Sequence, residues 1–543
     1  MVHARQLVAA VSIVSAAASC TGEANQLPEQ QTSRLTPNDA VSDRIEQLLA
    51  QMTLEEKATL LEGIGRPAGD HEVGFVAGVP RLGIPPQKFT DGPAGVRDGQ
   101  PATALPAPVA VAASFDRALA HDVGARIGLE TKARGYQVVY SPMINIVRVP
   151  QGGRNFETFG EDPFLAGQVG AGHIQGVQSQ GVAAQVKHFA ANNQERGRMT
   201  TSSNVDDRTL REIYLPAFET AVTKAGVWSM MCSYNQINGT FACENAPLLH
   251  SILKVQWGFD GVVGSDYPAT HSTVPAANAG LDQEFGGSTF YRSLPDAVRS
   301  GQLAQSVLDD QARRVLRMMF RTGLFDSASP PPADPAGGAA LARSASARGT
   351  VLLKNDTGVL PLDAASLSSI AVIGPFGNQA YTGGGGSSHV TPFSNFLVDP
   401  VTGIQQRAGS AVKVSYVSGA STAGRTPVPV ASLHPAGAPT QTGLTVSYFT
   451  NPTLSGNPAV TTTDGVLDHN WQGNAPVSGI PSQNWSARWT GTLTVPTTGD
   501  YHLATNSDDG SRVFVNGALL IDNWGDHGPQ TVYGTVHLVA GQS

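Results

Sequence analysis

The sequence predicts an α/β multidomain protein: a (β/α)8 TIM-like barrel, then the start of an α/β sandwich domain that an antiparallel β-sandwich interrupts. Three observations predict it. Short apolar runs alternate with amphipathic helical stretches from Val41 to Phe325, the rhythm of a parallel sheet with crossover helices. The stretch DSASPPPADPAGG at Asp326–Gly338 is a Pro/Gly/Ala linker between domains. From Gln441 onward, apolar and polar residues alternate one by one between turn signals, which is sandwich patterning.

The elements follow in chain order. MVHARQLVAAVSIVSAAASC has a basic start at Arg5, an apolar stretch from Leu7 and small residues before Cys20, so residues 1–20 read as an export signal. Ala17-Ala18-Ser19-Cys20 also fits a lipoprotein signal with a lipid anchor on Cys20, although the usual leucine three places earlier is absent. Both readings place the protein outside the cytoplasm: periplasmic, extracellular or anchored at the cell surface. Residues 21–40 are a polar linker. In VSDRIEQLLAQMTLEEKATLL, Thr53 caps a second helix and Glu56 sits three residues on, a capping box. Strand-like runs recur at Val138–Tyr140, Val182–Val186, Val227–Cys232 and Gly261–Gly264, with helical patterns such as DDRTLREIYLPAFETAVTKA between them. These place the barrel at 41–325 and the linker at 326–338. The first part of the α/β sandwich domain then covers 339–440, and the β-sandwich covers 441–543.

Bulk properties exclude some functions. A net charge of −8 over 543 residues, without a long run of Lys and Arg, argues against a nucleic-acid partner. No stretch after the leader is long and apolar enough for a transmembrane helix. Only Cys232 and Cys243 remain besides Cys20, too few for a cysteine metal site. In an oxidising compartment they would close a short loop worth roughly 3 kcal/mol; two free thiols are the other reading.

Five polar clusters stand at predicted strand ends: TDGPAGVR (90–97), GGRNFETFGEDP (152–163), VKHFAANNQE (186–195), MCSYNQING (231–239) and GSDYPATHS (264–272). Each alone reads as a turn, a surface ion pair or a buried core residue. Together they match the way a barrel collects its site from the ends of several strands. Asp, Arg, Lys and His side chains in such a group suit a ring of vicinal hydroxyls. There is no G-x-S-x-G serine elbow, no H-E-x-x-H zinc helix and no phosphate loop. GGGGSSHV (383–390) lacks the lysine that a phosphate loop needs and reads as a flexible loop able to reach the barrel mouth.

In order and spacing, the clusters resemble glycoside hydrolase family 3, the β-glucosidase group. The resemblance runs from about Val41 to Pro392 and rests on KHF, MCSYNxxNG and GSD occurring together. It implies a retaining, exo-acting β-glycosidase that takes a β-linked oligosaccharide or glucoside and needs no cofactor. Asp266 resembles the nucleophile. Asp91, Arg97, Arg154, Lys187, His188 and Tyr234 resemble the residues that grip the terminal sugar. Tyr267 stands where the family usually has tryptophan, as a smaller platform. The loop KHFAANNQE is similar to the glucosidase branch rather than to the KHFPGHG-like loop of the N-acetylglucosaminidase branch.

The segment from about Gly443 resembles the β-sandwich named after anthrax protective antigen, which family 3 can carry as an insertion. Asp508-Asp509 reads as a turn there, with calcium binding, as in some relatives of that module, the alternative. The resemblance implies that the acid/base glutamate follows the inserted sandwich, so the chain is expected to be C-terminally truncated before it. Glu157, Glu161, Glu195 and Glu284 do not match its position, and the acid/base is unassigned. A β-xylosidase or another family 3 exo-glycosidase, and a catalytically inert carbohydrate-binding protein, remain the rival readings.

Overall fold

The computed structural model describes residues 39–65, 71–287, 289–326, 329–382, 385–418, 427–471 and 473–543. The leader and Cys20 lie outside the described residues. So do Gly383 and Gly384 of the glycine loop. The described residues form two compact units: those up to Leu367 together with those of Ala380–Gly403, and those of Ser368–Gln379 together with those of Ile404–Ser543.

The first unit is built on one curled sheet of seven strands: β1 (Gly63–Gly65), β2 (Gly74–Val76), β3 (Gln87–Asp91), β4 (Val138–Tyr140), β5 (Ala183–Phe189), β6 (Ser229–Cys232) and β7 (Val262–Ser265), hydrogen-bonded in chain order. From β3 to β7 every pairing is parallel. Each of these strands except β3 is buried throughout, as a parallel strand covered on both faces must be. The first two junctions depart from the expected all-parallel order. Strand β2 runs antiparallel to both β1 and β3. The cause is chain length: Ala77–Pro86 holds only one turn of 3-10 helix, Pro80–Leu82, and a parallel crossover needs a dozen or more residues. At the far edge, Gln283 pairs with Gly264, and Glu284 pairs with Glu62, so residues 283–284 link the last strand back to the first.

Several helices open on a side-chain cap that the sequence supplies. Helix α1 spans Asp39–Gln51 and α2 spans Leu54–Leu61, the latter opened by the Thr53–Glu56 capping box. Asp116 caps α3 (Arg117–Ala133), and Asp162 caps α4 (Pro163–Ser179). Gly124 on α3 and Gly176 on α4 face the other helix's backbone so closely that any Cβ would collide with a carbonyl. Small residues thus draw the two helices together. The helical stretch predicted after Asp206 forms, but with a π turn at Leu210–Tyr214 before Pro216, which has no amide hydrogen to continue the regular ladder. Helix α5 (Gln305–Arg321) turns Leu308, Val315, Leu316 and Met319 into the core.

In the second unit, β8 (Ser369–Ile373) and β9 (Lys413–Val417) pair in parallel. Strand β8 was expected to be buried, yet alternate residues along it are exposed, Ile373 by 72 %. Beyond it, β10 (Leu444–Phe449) lies between β11 (Val460–Asp464) and β12 (Ser486–Thr490). Then β13 (Gly499–Ser507) pairs with β16 (Gln530–Leu538), and β14 (Ser511–Val515) with β15 (Ala518–Asn523), all antiparallel. Val446, Tyr448 and Ile480 form a small core here. Asp508-Asp509 occupies the turn between β13 and β14, where Asp509 accepts the His527 amide at 3.1 Å. Among the described residues no helix is long and apolar enough to cross a membrane.

Candidate active site

Every candidate residue from the five clusters falls at the C-terminal ends of the parallel strands or in the loops just beyond them. Asp91 closes β3. Its Oδ2 accepts from Arg97 Nη1 at 3.0 Å, and the Arg97 amide donates back to the Asp91 carbonyl at 3.0 Å, so the loop folds onto the strand. Lys187 and His188 lie in the last three residues of the fully buried β5, each only 2 % exposed. Lys187 Nζ stands 3.7 Å from Asp91 Oδ1. Asn145 holds the His188 backbone from both sides, accepting its amide hydrogen at 2.7 Å and donating to its carbonyl at 2.9 Å.

Asp266 follows β7 and is 9 % exposed. Its Oδ1 accepts the Tyr267 amide at 2.8 Å, and its own amide donates to the Cys232 carbonyl at 3.2 Å. Tyr234 donates its hydroxyl to the Tyr267 carbonyl at 2.6 Å and lies beside the carboxylate. Cys232 and Cys243 are joined in a disulfide, with Cα atoms 5.3 Å apart, closing the loop that carries Tyr234. The Arg198 guanidinium sits 4.4 Å above the Tyr234 ring, a cation–π contact.

Arg154 ties the group together. Its Nε donates to Glu157, its Nη2 to Ser387 Oγ at 3.0 Å, and its Nη1 to His188 Nε2 at 3.2 Å. A guanidinium can only donate. His188 Nε2 is therefore the acceptor, and the neutral ring carries its proton on Nδ1. Burial, with Arg154 and Lys187 adding to it, pushes His188 well below the usual histidine range. The 3.5 Å approach of His188 Nε2 to Asp266 Oδ2 is accordingly not an ion pair.

The charges around Asp266 act against its burial. The family resemblance puts cationic Lys187 and Arg154 near it, which favours a lowered pKa. The structure gives the opposite net direction: burial raises Asp266 and outweighs the Tyr267 amide, Lys187, the Tyr234 hydroxyl and Arg154. Asp91 is likewise raised by burial against Lys187 and Arg97, while burial lowers Lys187. Glu157 ends below the usual range, because Lys187, Arg154 and Ser388 together overcome its burial.

The four glutamates are placed differently. Glu157 is committed to Arg154, Ser387 and Ser388. Glu284 accepts the Tyr291 and Phe290 amides. Glu195 accepts from Arg198 at 2.6 Å and lies 3.8 Å from Arg154, and Glu161 is exposed. Three participants were not singled out from the sequence. Ser387 reaches Arg154, Lys187 (3.4 Å) and Glu157 from the glycine loop, Asn145 anchors His188, and Tyr140 meets Tyr267. The serines after four glycines were the one available signal.

This arrangement coincides with a family profile. Residues 76–318 match the glycosyl hydrolase family 3 N-terminal domain. Residues 440–543 match the PA14 domain. The chain is 38 % identical to a beta-glucosidase of Rhizobium radiobacter over 492 residues, covering 88 % of this chain and 57 % of that protein. It is 42 % identical to thermostable beta-glucosidase B of Acetivibrio thermocellus over 389 residues, covering 69 % of this chain and 50 % of that protein. The chain thus spans about half the length of the curated relatives it matches. Among solved structures, a beta-glucosidase of Streptomyces venezuelae in complex with D-glucose superposes with a TM-score of 0.69 at 35 % identity, over 92 % of this chain and 60 % of that one. Beta-glucosidase 3B of Thermotoga neapolitana in complex with alpha-D-glucose gives 0.64 at 34 %, over 68 % and 55 %. The buried carboxylates and cations described above all lie in the matched segment, and Ser387 and Ser388 contribute hydroxyls from beyond it.

Proposed function

We propose that the protein is a retaining, exo-acting β-glycosidase, a β-glucosidase, that releases a terminal non-reducing β-D-glucosyl residue through a covalent glycosyl-enzyme on Asp266. The observation that carries this reading is Asp266 itself: a nearly buried carboxylate at a strand end, with one oxygen held by the Tyr267 amide and the other facing a neutral His188. A retaining glycosidase needs such a fixed carboxylate to attack the anomeric carbon, with a second carboxyl group about 5–5.5 Å away. Lys187, Arg154 and Arg97 supply donors, and Asp91 an acceptor, for the hydroxyls of one sugar ring, with His188 beside them as a neutral acceptor. Tyr234 restrains the nucleophile through Tyr267. The role of proton donor is left unassigned, since Glu157 and Glu284 are spent on structural hydrogen bonds.

On this reading the curled sheet, with residues 283–284 joining its edges, is a barrel with one reversed strand. The 41–325, 339–440 and 441–543 segments are its domains, and the leader is an export signal. The β-glucosidase names and the glucose complexes among the relatives support glucose over xylose as the terminal sugar.

The test is covalent trapping. After incubation with a 2-deoxy-2-fluoro-β-D-glucoside bearing a dinitrophenolate leaving group, peptide mapping should find one sugar on the peptide that carries Asp266. Labelling elsewhere, or none, would sink the assignment. A panel of chromogenic glycosides separates the rivals: a pure binder releases nothing, and a xylosidase prefers the pentoside.

A further inference from the structure

We propose that Tyr140 is a positioning residue for Asp266, acting through the side chain of Tyr267. The proposal rests on the reading of Asp266 as the nucleophile. Tyr140 ends β4 in register with Asp91, and is 1 % exposed. Its hydroxyl lies 2.7 Å from the Tyr267 hydroxyl. The two rings meet edge to face at 6.0 Å, with Tyr140 stacked on Phe89 and Tyr267 against Phe285. Gly74 makes the room. A methyl group there would run into both hydroxyls.

Tyr267 is held at both ends. Its amide binds Asp266 Oδ1 and its carbonyl receives the Tyr234 hydroxyl, so its peptide groups are committed to the site. Its far end is fixed by the Tyr140 hydroxyl. A tyrosine has only two side-chain torsions, so fixing the phenol oxygen restricts the backbone at the other end. The expected tryptophan has no oxygen there, and its indole N–H cannot accept a hydrogen bond. The hydroxyl pair is therefore a device of this chain: an anchor inside the sheet that sets the angle of the peptide gripping the nucleophile.

The test uses the full chain and three variants: Tyr140→Phe, Tyr267→Phe and the double variant, which keep the rings and remove oxygens. Labelling is followed with the dinitrophenyl 2-deoxy-2-fluoro-glucoside, whose leaving group needs no proton. Each single variant should slow the bond-forming step by about threefold to tenfold, the worth of one hydrogen bond, while half-saturation shifts by less than twofold. The double variant should be no slower than the slower single one, because both remove the same bond. Unchanged rates in Tyr140→Phe, or losses that multiply in the double variant, would overturn the proposal. If the wild-type chain is not labelled, the functional reading fails, and hydrogen exchange decides the positioning claim on its own. The Tyr267 amide should exchange faster in Tyr140→Phe while α5 is unchanged; equal exchange overturns it.

Discussion

Arg154 Nη1 points at His188 Nε2 from 3.2 Å, and this contact fixes the imidazole as a neutral acceptor. The pH dependence follows. His188 lies well below the usual histidine range, so it contributes no inflection near pH 6.5. As the proposed nucleophile Asp266 acts ionised, and its pKa is raised by burial, so labelling should fall as pH drops through a value above the usual aspartate range of about 3.9. A plot of labelling rate against pH should show this single acid limb. A second limb near pH 6.5 that disappears in His188→Gln would refute the neutral assignment.

The same burial makes Asp266 costly to the fold. A carboxyl whose pKa is higher folded than unfolded binds its proton more tightly in the native state. Its stabilising effect is complete below the unfolded pKa and lost as pH rises through the folded one. Asp266→Asn, which cannot ionise, should therefore melt about 2–4 °C above wild type near pH 7. The gap should close below about pH 4. Calorimetry across that range would show it, and a variant that melts lower at pH 7 contradicts it.

Glu157 neutralises a largely buried guanidinium. Glu157→Gln keeps the shape and leaves Arg154 without its ion-pair partner, which should cost about 3 kcal/mol in urea unfolding. A loss below about 1 kcal/mol, the worth of an exposed pair, would mean that Arg154 finds another carboxylate, with Glu195 the nearest.

Ser387 sits between two cations. Ser387→Ala removes the oxygen that Arg154 and Lys187 share, and it should raise the half-saturating concentration for labelling by about threefold to tenfold. The melting temperature should stay within about 2 °C, since one hydroxyl on a loop is lost. Equal half-saturation in mutant and wild type would show that the serine does not order the cations.

The disulfide restrains the loop bearing Tyr234. Its removal in a Cys232→Ser/Cys243→Ser double variant should cost roughly 3 kcal/mol in urea unfolding. Labelling should slow as well, because Tyr234 and the Cys232 carbonyl both restrain the Asp266 segment.

Much of the site was legible because buried parallel strands announce themselves. A mostly apolar run that stops at Lys187-His188 or Ser265-Asp266 marks both a strand and its open end. Other features carried no such mark. Residues 63–76 are glycine-rich and short in apolar runs, so the reversed β2 could not be read. Tyr140 looked like a core residue, and it is one; only its distance to Tyr267 gives it a second role. The charges near Asp266 were readable, but their contest with burial depends on depth, which one sequence does not encode. Ser387 binds side chains 200 or more positions away, and no local periodicity reports that.

The serine also bears on how such proteins are divided. The family 3 profile ends at residue 318, yet Ser387 and Ser388 complete the shell around Arg154, Lys187 and Glu157. A piece excised at the profile's edge would keep Asp266 and lose two hydroxyls that hold the neighbouring charges. The boundary that sequence comparison draws runs through a hydrogen-bonded network, so the piece of this chain that holds its charges in place is larger than the most recognisable one.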